Sequence, residues 1–223
     1  MSGKTLAVFG AGPALGLSVA RRFAAEGFKI ALVARNPERL ASSVERIDGD
    51  AAAFTADLGK HEEIDALVGA IEEKCGPPDV MTFSPAGWID GRPLPVIDLD
   101  PRALTRQLRF PLLTATALVR RVLPRMATGG SILMALGISA LRPMPFIASI
   151  GVAHAAVRAY LLNLNAELAT RDIYAGALIV GGAIVGSDAA SSVGADGGLD
   201  PDELAEAYWQ LHVKRDRFEH IAE

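Results

Sequence analysis

Residues 5–16, TLAVFGAGPALG, hold the spacing with the most chemistry in it. Gly10, Gly12 and Gly16 come directly after an apolar run, Leu6 to Phe9, and before a helix-periodic one. Each glycine has its own task in such a place. Gly10 lets the chain leave a strand through a tight turn. Gly12 removes a Cβ from the path of a pyrophosphate, and Gly16 lets a helix lie close to the strand. The N–H groups of the helix's first turn, aided by the helix dipole, then face the phosphates. Pro13 sits where a missing N–H costs nothing, and Ala14 and Leu15 complete the turn. A dinucleotide phosphate suits this pattern, and an ordinary strand-to-helix turn is the plainer reading. Other chemistry is sparse. His61 and His220 have no ligand-like spacing with acids or cysteine, so no metal site is expected. The single cysteine, Cys75, excludes an intramolecular disulfide and falls at the end of an amphipathic run, where an inert thiol is expected.

The elements that must position these residues alternate. Apolar runs predict strands over 6–9, 30–34, 51–56, 80–83, 131–136 and 175–180, with an edge strand over 218–221. Helical periodicity predicts helices over 14–27, after Pro37, over 61–75, over 100–126, over 147–170 and from Asp200 to about 214. Pro111 falls inside the fourth and predicts a kink or break there. Strands that read as continuous apolar runs, alternating with helices, imply an α/β fold. This is a doubly wound parallel sheet of about seven strands, a Rossmann fold with a helix layer on each face. One domain over residues 1–223 is expected. The Gly/Ala/Ser-rich stretch at about 181–199 should be its mobile substrate lid. Ligands of such sheets bind outside the carboxyl ends of the strands, so the loops after Phe9, Ala34, Ala56, Phe83, Leu136 and Val180 should share one cleft.

Half of the 223 residues are hydrophobic and 22% are charged, which excludes a disordered chain. A formal charge of −4 argues against nucleic acid and against an anionic membrane surface as partners. The longest apolar run, 177–186, is too short to span a bilayer and no signal-peptide pattern opens the chain, so a cytoplasmic location is expected.

The motifs together resemble the short-chain dehydrogenase/reductase family over nearly the whole chain. Beyond Gly10 to Gly16 they include Arg35-Asn36, Asp57-Leu58 and Ser84-Pro85-Ala86-Gly87, the last standing where the family writes NNAG. Further along are Leu123-Pro124-Arg125-Met126, Gly130-Ser131-Ile132, 155–159 (AAVRA) and 165–168 (NAEL). The family's second glycine falls at Ala14, and Gly12 is an extra one. The resemblance implies that Asp57 and Leu58 frame an adenine and that Ala86 and Gly87 let the chain pass close to the adenosine ribose. It places Val180-Gly181-Gly182 where the family has Pro-Gly, with Gly181 keeping the backbone near the cofactor. Asp57 could equally cap the third helix. NAD-selective enzymes place a carboxylate after the second strand; here Ala34 is followed by Arg35, which would bind a 2′-phosphate bidentately or else stand as a solvated turn residue. NADP is therefore the expected cofactor, with NAD second.

The four residues that the family uses for proton transfer are all changed. Alignment through 155–159 puts Ile150 at the tyrosine and His154 at the lysine. Gly137 falls at the serine and Pro111 at the asparagine. Tyr160 is nearly three turns too far along its helix. Polar work is left to His154, which could bond the nicotinamide ribose, act as an acid or base near neutral pH, or be a locally satisfied helix histidine. Ser139 and Ser84 could bond a substrate oxygen or be turn and strand-end hydroxyls. Two functions stay open: an NADP-dependent oxidoreductase acting on an unidentified small carbonyl, alcohol or activated double bond, and a catalytically inactive NADP-binding sensor or partner protein. The resemblance also implies a homodimer or homotetramer built on the fourth and fifth helices.

Overall fold

The computed structural model describes residues 3–84, 93–193 and 197–223. Ala86 and Gly87 of the expected site lie outside the described residues. Seven parallel strands form one sheet in the order β3-β2-β1-β4-β5-β6-β7. They are β1 Thr5–Phe9, β2 Lys29–Ala34, β3 Ala51–Thr55, β4 Val80–Phe83, β5 Ser131–Gly137, β6 Tyr174–Val180 and β7 Glu219–Ala222. The order reverses between β1 and β4, which opens a crevice at their carboxyl ends.

Why the strands read as unbroken apolar runs is clear from β1. Leu6 and Val8 pack against helices α1 Leu15–Ala24, α2 Pro37–Glu45 and α8 Pro201–Lys214. Ala7 and Phe9 pack against the other layer, α3 Ile64–Cys75, α5 Thr114–Val122 and α6 Ala148–Leu168. With both faces covered, successive side chains all need to be apolar.

Helix starts follow their caps. The Asn36 side chain accepts from the Arg39 N–H at 2.9 Å and Pro37 opens α2. Asp100 accepts from the Ala103 N–H at 2.6 Å, ahead of α4 Pro101–Leu108. The expected break at Pro111 is a π-helical turn, Arg109–Leu113, joining α4 to α5. Proline has no N–H for the ladder, and widening the turn accommodates that loss.

Several details differ from the sequence reading. The stretch after β6 is not featureless: it holds a short helix, α7 Asp188–Val193, and a bridge between Ile184 and Leu199. By length and composition, the segment Pro145–Arg171 around α6 could cross a membrane. In the fold, Val157, Leu161, Leu164 and Leu168 of α6 are core residues against the sheet. On α8, His212 is buried and bonded through Nδ1 to the Ser131 hydroxyl at 2.7 Å, and Trp209 is half-buried against Phe23 and Phe28.

Candidate active site

At the phosphate turn, Gly10 has φ +85°, and its N–H and that of Ala11 both donate to the Val33 carbonyl, at 3.0 and 2.8 Å. A Cβ on Gly16 would lie 2.8 Å from the Ala11 Cα, so glycine lets α1 press against the turn itself. Around Gly12 the opposite holds: among the described residues an added Cβ would meet nothing within 4 Å. The helix lacks a side-chain cap at Ala14, and among the described residues the N–H groups of Gly12, Leu15 and Gly16 donate to no carbonyl. Open space in front of unpaired donors at a helix start is what an anion requires.

The adenosine side is formed by the ends of β2 and β3. Arg35 is exposed. The side-chain oxygen of Asn36 is committed to its cap, so that residue positions the corner rather than a ligand. Asp57 is exposed and accepts from the Gly59 N–H at 3.0 Å, an Asx turn; it does not cap α3, whose N-cap is Glu63. Leu58 is 5% exposed and its side chain belongs to the core, leaving only its backbone to face a base. Its carbonyl accepts from the Thr114 hydroxyl at 3.2 Å, and Thr114 meets His61 Nε2 at 2.9 Å. Thr114, which the sequence reading missed, and His61 moor the loop to α5. Ser84, half-buried, follows β4 with its N–H 3.5 Å from the Phe9 carbonyl. Gly181 is glycine for a reason internal to the fold: a Cβ there would meet the Ala222 carbonyl oxygen and Glu223 Cγ, both at 2.9 Å.

At the other end of the cleft the fold brings Gly137, Ser139 and His154 together. His154 is 5% exposed, and its Nδ1 accepts the Gly137 N–H at 2.9 Å. A Cβ on Gly137 would lie 3.2 Å from that nitrogen and 3.5 Å from Ser139 Oγ. Glycine at 137 is thus what gives the imidazole its seat. Burial pushes the His154 pKa down to about 4, so the ring is neutral at physiological pH and is poorly suited to give up a proton as an imidazolium. With Nδ1 accepting, the ring proton is assigned to Nε2. That Nε2 is buried with no hydrogen-bond partner among the described residues. An unmatched buried donor of this kind costs about 1–3 kcal/mol, which a ligand oxygen would recover. Ile150 and Pro111 are buried and apolar. Tyr160 packs on the core ten residues beyond Ile150, about 15 Å along the helix axis.

The model for the short chain dehydrogenase family matches residues 4–196. Pig dehydrogenase/reductase SDR family member 4 is 26% identical over 173 residues, covering 75% of this chain. The chain spans 61% of that protein's length. A short-chain dehydrogenase from Rhodopseudomonas palustris superposes with a TM-score of 0.81 at 25% identity, over 99% of this chain and 98% of that one. An NADPH-bound short chain oxidoreductase from Pseudomonas aeruginosa with an atypical catalytic center superposes with a TM-score of 0.85 at 19% identity, over 98% and 94%, a likeness of fold. Glycine turn, sheet order and family match agree, and this chain belongs to the short-chain dehydrogenase family.

Proposed function

We propose that this chain is an NADP-dependent oxidoreductase with a non-standard active site. The observation that carries the reading is the phosphate turn, where Gly12 is open to an added Cβ and, among the described residues, the N–H groups of Leu15 and Gly16 at the start of α1 donate to no carbonyl. The room left at Gly12 would let a pyrophosphate approach the turn. Arg35, exposed after β2, would take the 2′-phosphate; a carboxylate in its place would repel it. The Asp57 turn and the Leu58 backbone would frame the adenine, while Ser84 would lie near the adenosine ribose. The buried Nε2–H of His154 suits a ribose hydroxyl. When bound, the nicotinamide supplies a hydride donor or acceptor.

The protein's own share is then binding, orientation and exclusion of water. Neither Ile150 nor Gly137 can move a proton, and His154 stays neutral. A substrate that needs little side-chain acid, such as an activated double bond or an activated carbonyl, fits this site best, with Ser139 donating a hydrogen bond to its oxygen. The described parts of 181–199 would cover the substrate as a lid on a single domain. A homodimer or homotetramer would bury Leu113, Val152 and Leu162, which are 47, 43 and 43% exposed on the π-helical turn and α6.

The test is a calorimetric titration with NADPH and NADH, followed by incubation of the NADPH complex with carbonyls and enones. Tighter binding of NADPH, with oxidation above background for one substrate class, supports the reading. Absence of heat with both dinucleotides overturns it, and tight binding without turnover leaves the inactive sensor in its place.

A further inference from the structure

Outside the residues already assigned, one ion pair joins α2, the helix that follows Arg35, to α7. Arg39 Nη1 lies 2.9 and 3.1 Å from the two carboxylate oxygens of Asp188. Arg39 is the third residue of α2, its backbone held by the Asn36 cap, and Arg35 stands just before that cap. Asp188 is the first residue of α7, 149 positions away. We propose that Arg39 is a second ligand for the 2′-phosphate of NADP, and that Asp188 occupies its guanidinium until the phosphate arrives. This inference rests on the NADP reading above.

The charges favour the exchange. Arg39 and Asp188 side chains are 62 and 72% exposed, and pairs so wetted hold each other weakly. A phosphate monoester carries about 1.5 to 2 negative charges at neutral pH and accepts two parallel N–H bonds from one guanidinium. Against a single carboxylate that both side chains share with water, it is the stronger partner. Glu38, also exposed in the first turn of α2, adds repulsion at this corner, so one arginine is poorly matched to a doubly charged ligand and two are better. Loss of Asp188 from Arg39 removes one tether of α7, while the base of its segment stays fastened. There the Val185 N–H donates to the Leu199 carbonyl at 3.0 Å and the Leu199 N–H to the Ala183 carbonyl at 2.8 Å. Occupancy of the 2′-phosphate site is thereby reported to the segment that adjoins the substrate side of the cleft.

Calorimetry of the full chain with NADPH and with NADH tests this in the wild type, Arg39→Gln, Asp188→Asn and the double variant. Arg39→Gln should weaken NADPH about ten- to a hundred-fold, the worth of a charge-assisted bond, and leave NADH unchanged. Asp188→Asn should tighten NADPH up to about five-fold, a gain the double variant loses. Amide exchange across Asp188–Val193 should rise on adding NADPH and stay level with NADH. An unaltered preference for NADPH in Arg39→Gln, or no change in NADPH affinity or α7 exchange in the other arms, overturns the inference while leaving the NADP reading intact. Wild-type protein that binds NADH as tightly as NADPH overturns the reading itself.

Discussion

Gly12→Ala separates binding from folding at the phosphate turn. The added methyl meets no atom of the described residues within 4 Å, and Gly12 is not in the left-handed region, so the native state gains no strain from them. The unfolded chain loses freedom, and the variant should be as stable as the wild type or more so by about 0.4–1 kcal/mol. The ligand fares differently. A phosphate oxygen must come within about 2.9 Å of the donors it bonds, and the methyl now stands in the space it would enter. Losing one charge-assisted bond costs about 1.5–3 kcal/mol, so Kd for NADPH should rise about ten- to a hundred-fold. Gly16→Ala is the control with the opposite signature. Its Cβ would press to 2.8 Å on the Ala11 backbone, and overpacking of that kind costs about 1–3 kcal/mol of stability. Urea unfolding and calorimetry on both variants read the two quantities. Gly12→Ala protein that binds NADPH within two-fold of the wild type would refute the placement of the phosphate.

Three further outcomes follow from buried and exposed groups. His154 has a folded-state pKa of about 4 against an ordinary 6.5, so the unfolded chain binds more protons between those values. Stability is full above pH 6.5 and falls toward pH 4, by up to about 3 kcal/mol from this group; urea titrations of the wild type and His154→Gln should diverge across that window and run parallel above it. Tyr208 is fully buried beside Ser84, its hydroxyl outside hydrogen-bond geometry with any described residue, and burial raises its pKa. Tyr208→Phe should therefore leave stability unchanged or raise it by up to about 1 kcal/mol in thermal melts. If a second copy covers Val152 and Leu162, the double variant to Glu should sediment as a monomer while the wild type sediments as a dimer or tetramer.

Local rules carried the sequence reading a long way. The parallel, doubly wound sheet was legible because apolar runs covered on both faces leave a continuous pattern, and the helices between them supply the crossovers. The helix start at Asp100 could be read directly because its side chain reaches only three residues ahead, and Asn36 and Asp200 cap their helices in the same local way. The break at Pro111 needed only the missing N–H.

What lay beyond the sequence is whatever depends on residues far apart. Nothing local to His154 says that it is nearly sealed from water, and that sealing is what lowers its pKa and turns a candidate acid into a fixed donor. Leu58 reads as a loop residue and is core because α5 lies over it. Arg39 and Asp188 meet across 149 positions. By itself the sequence determined the strands, the helix starts and the glycine turn, since these follow from the chemistry of a few neighbouring residues. Only the tertiary structure decided which groups are desolvated and which charges are paired, because both depend on packing between elements that the chain keeps far apart.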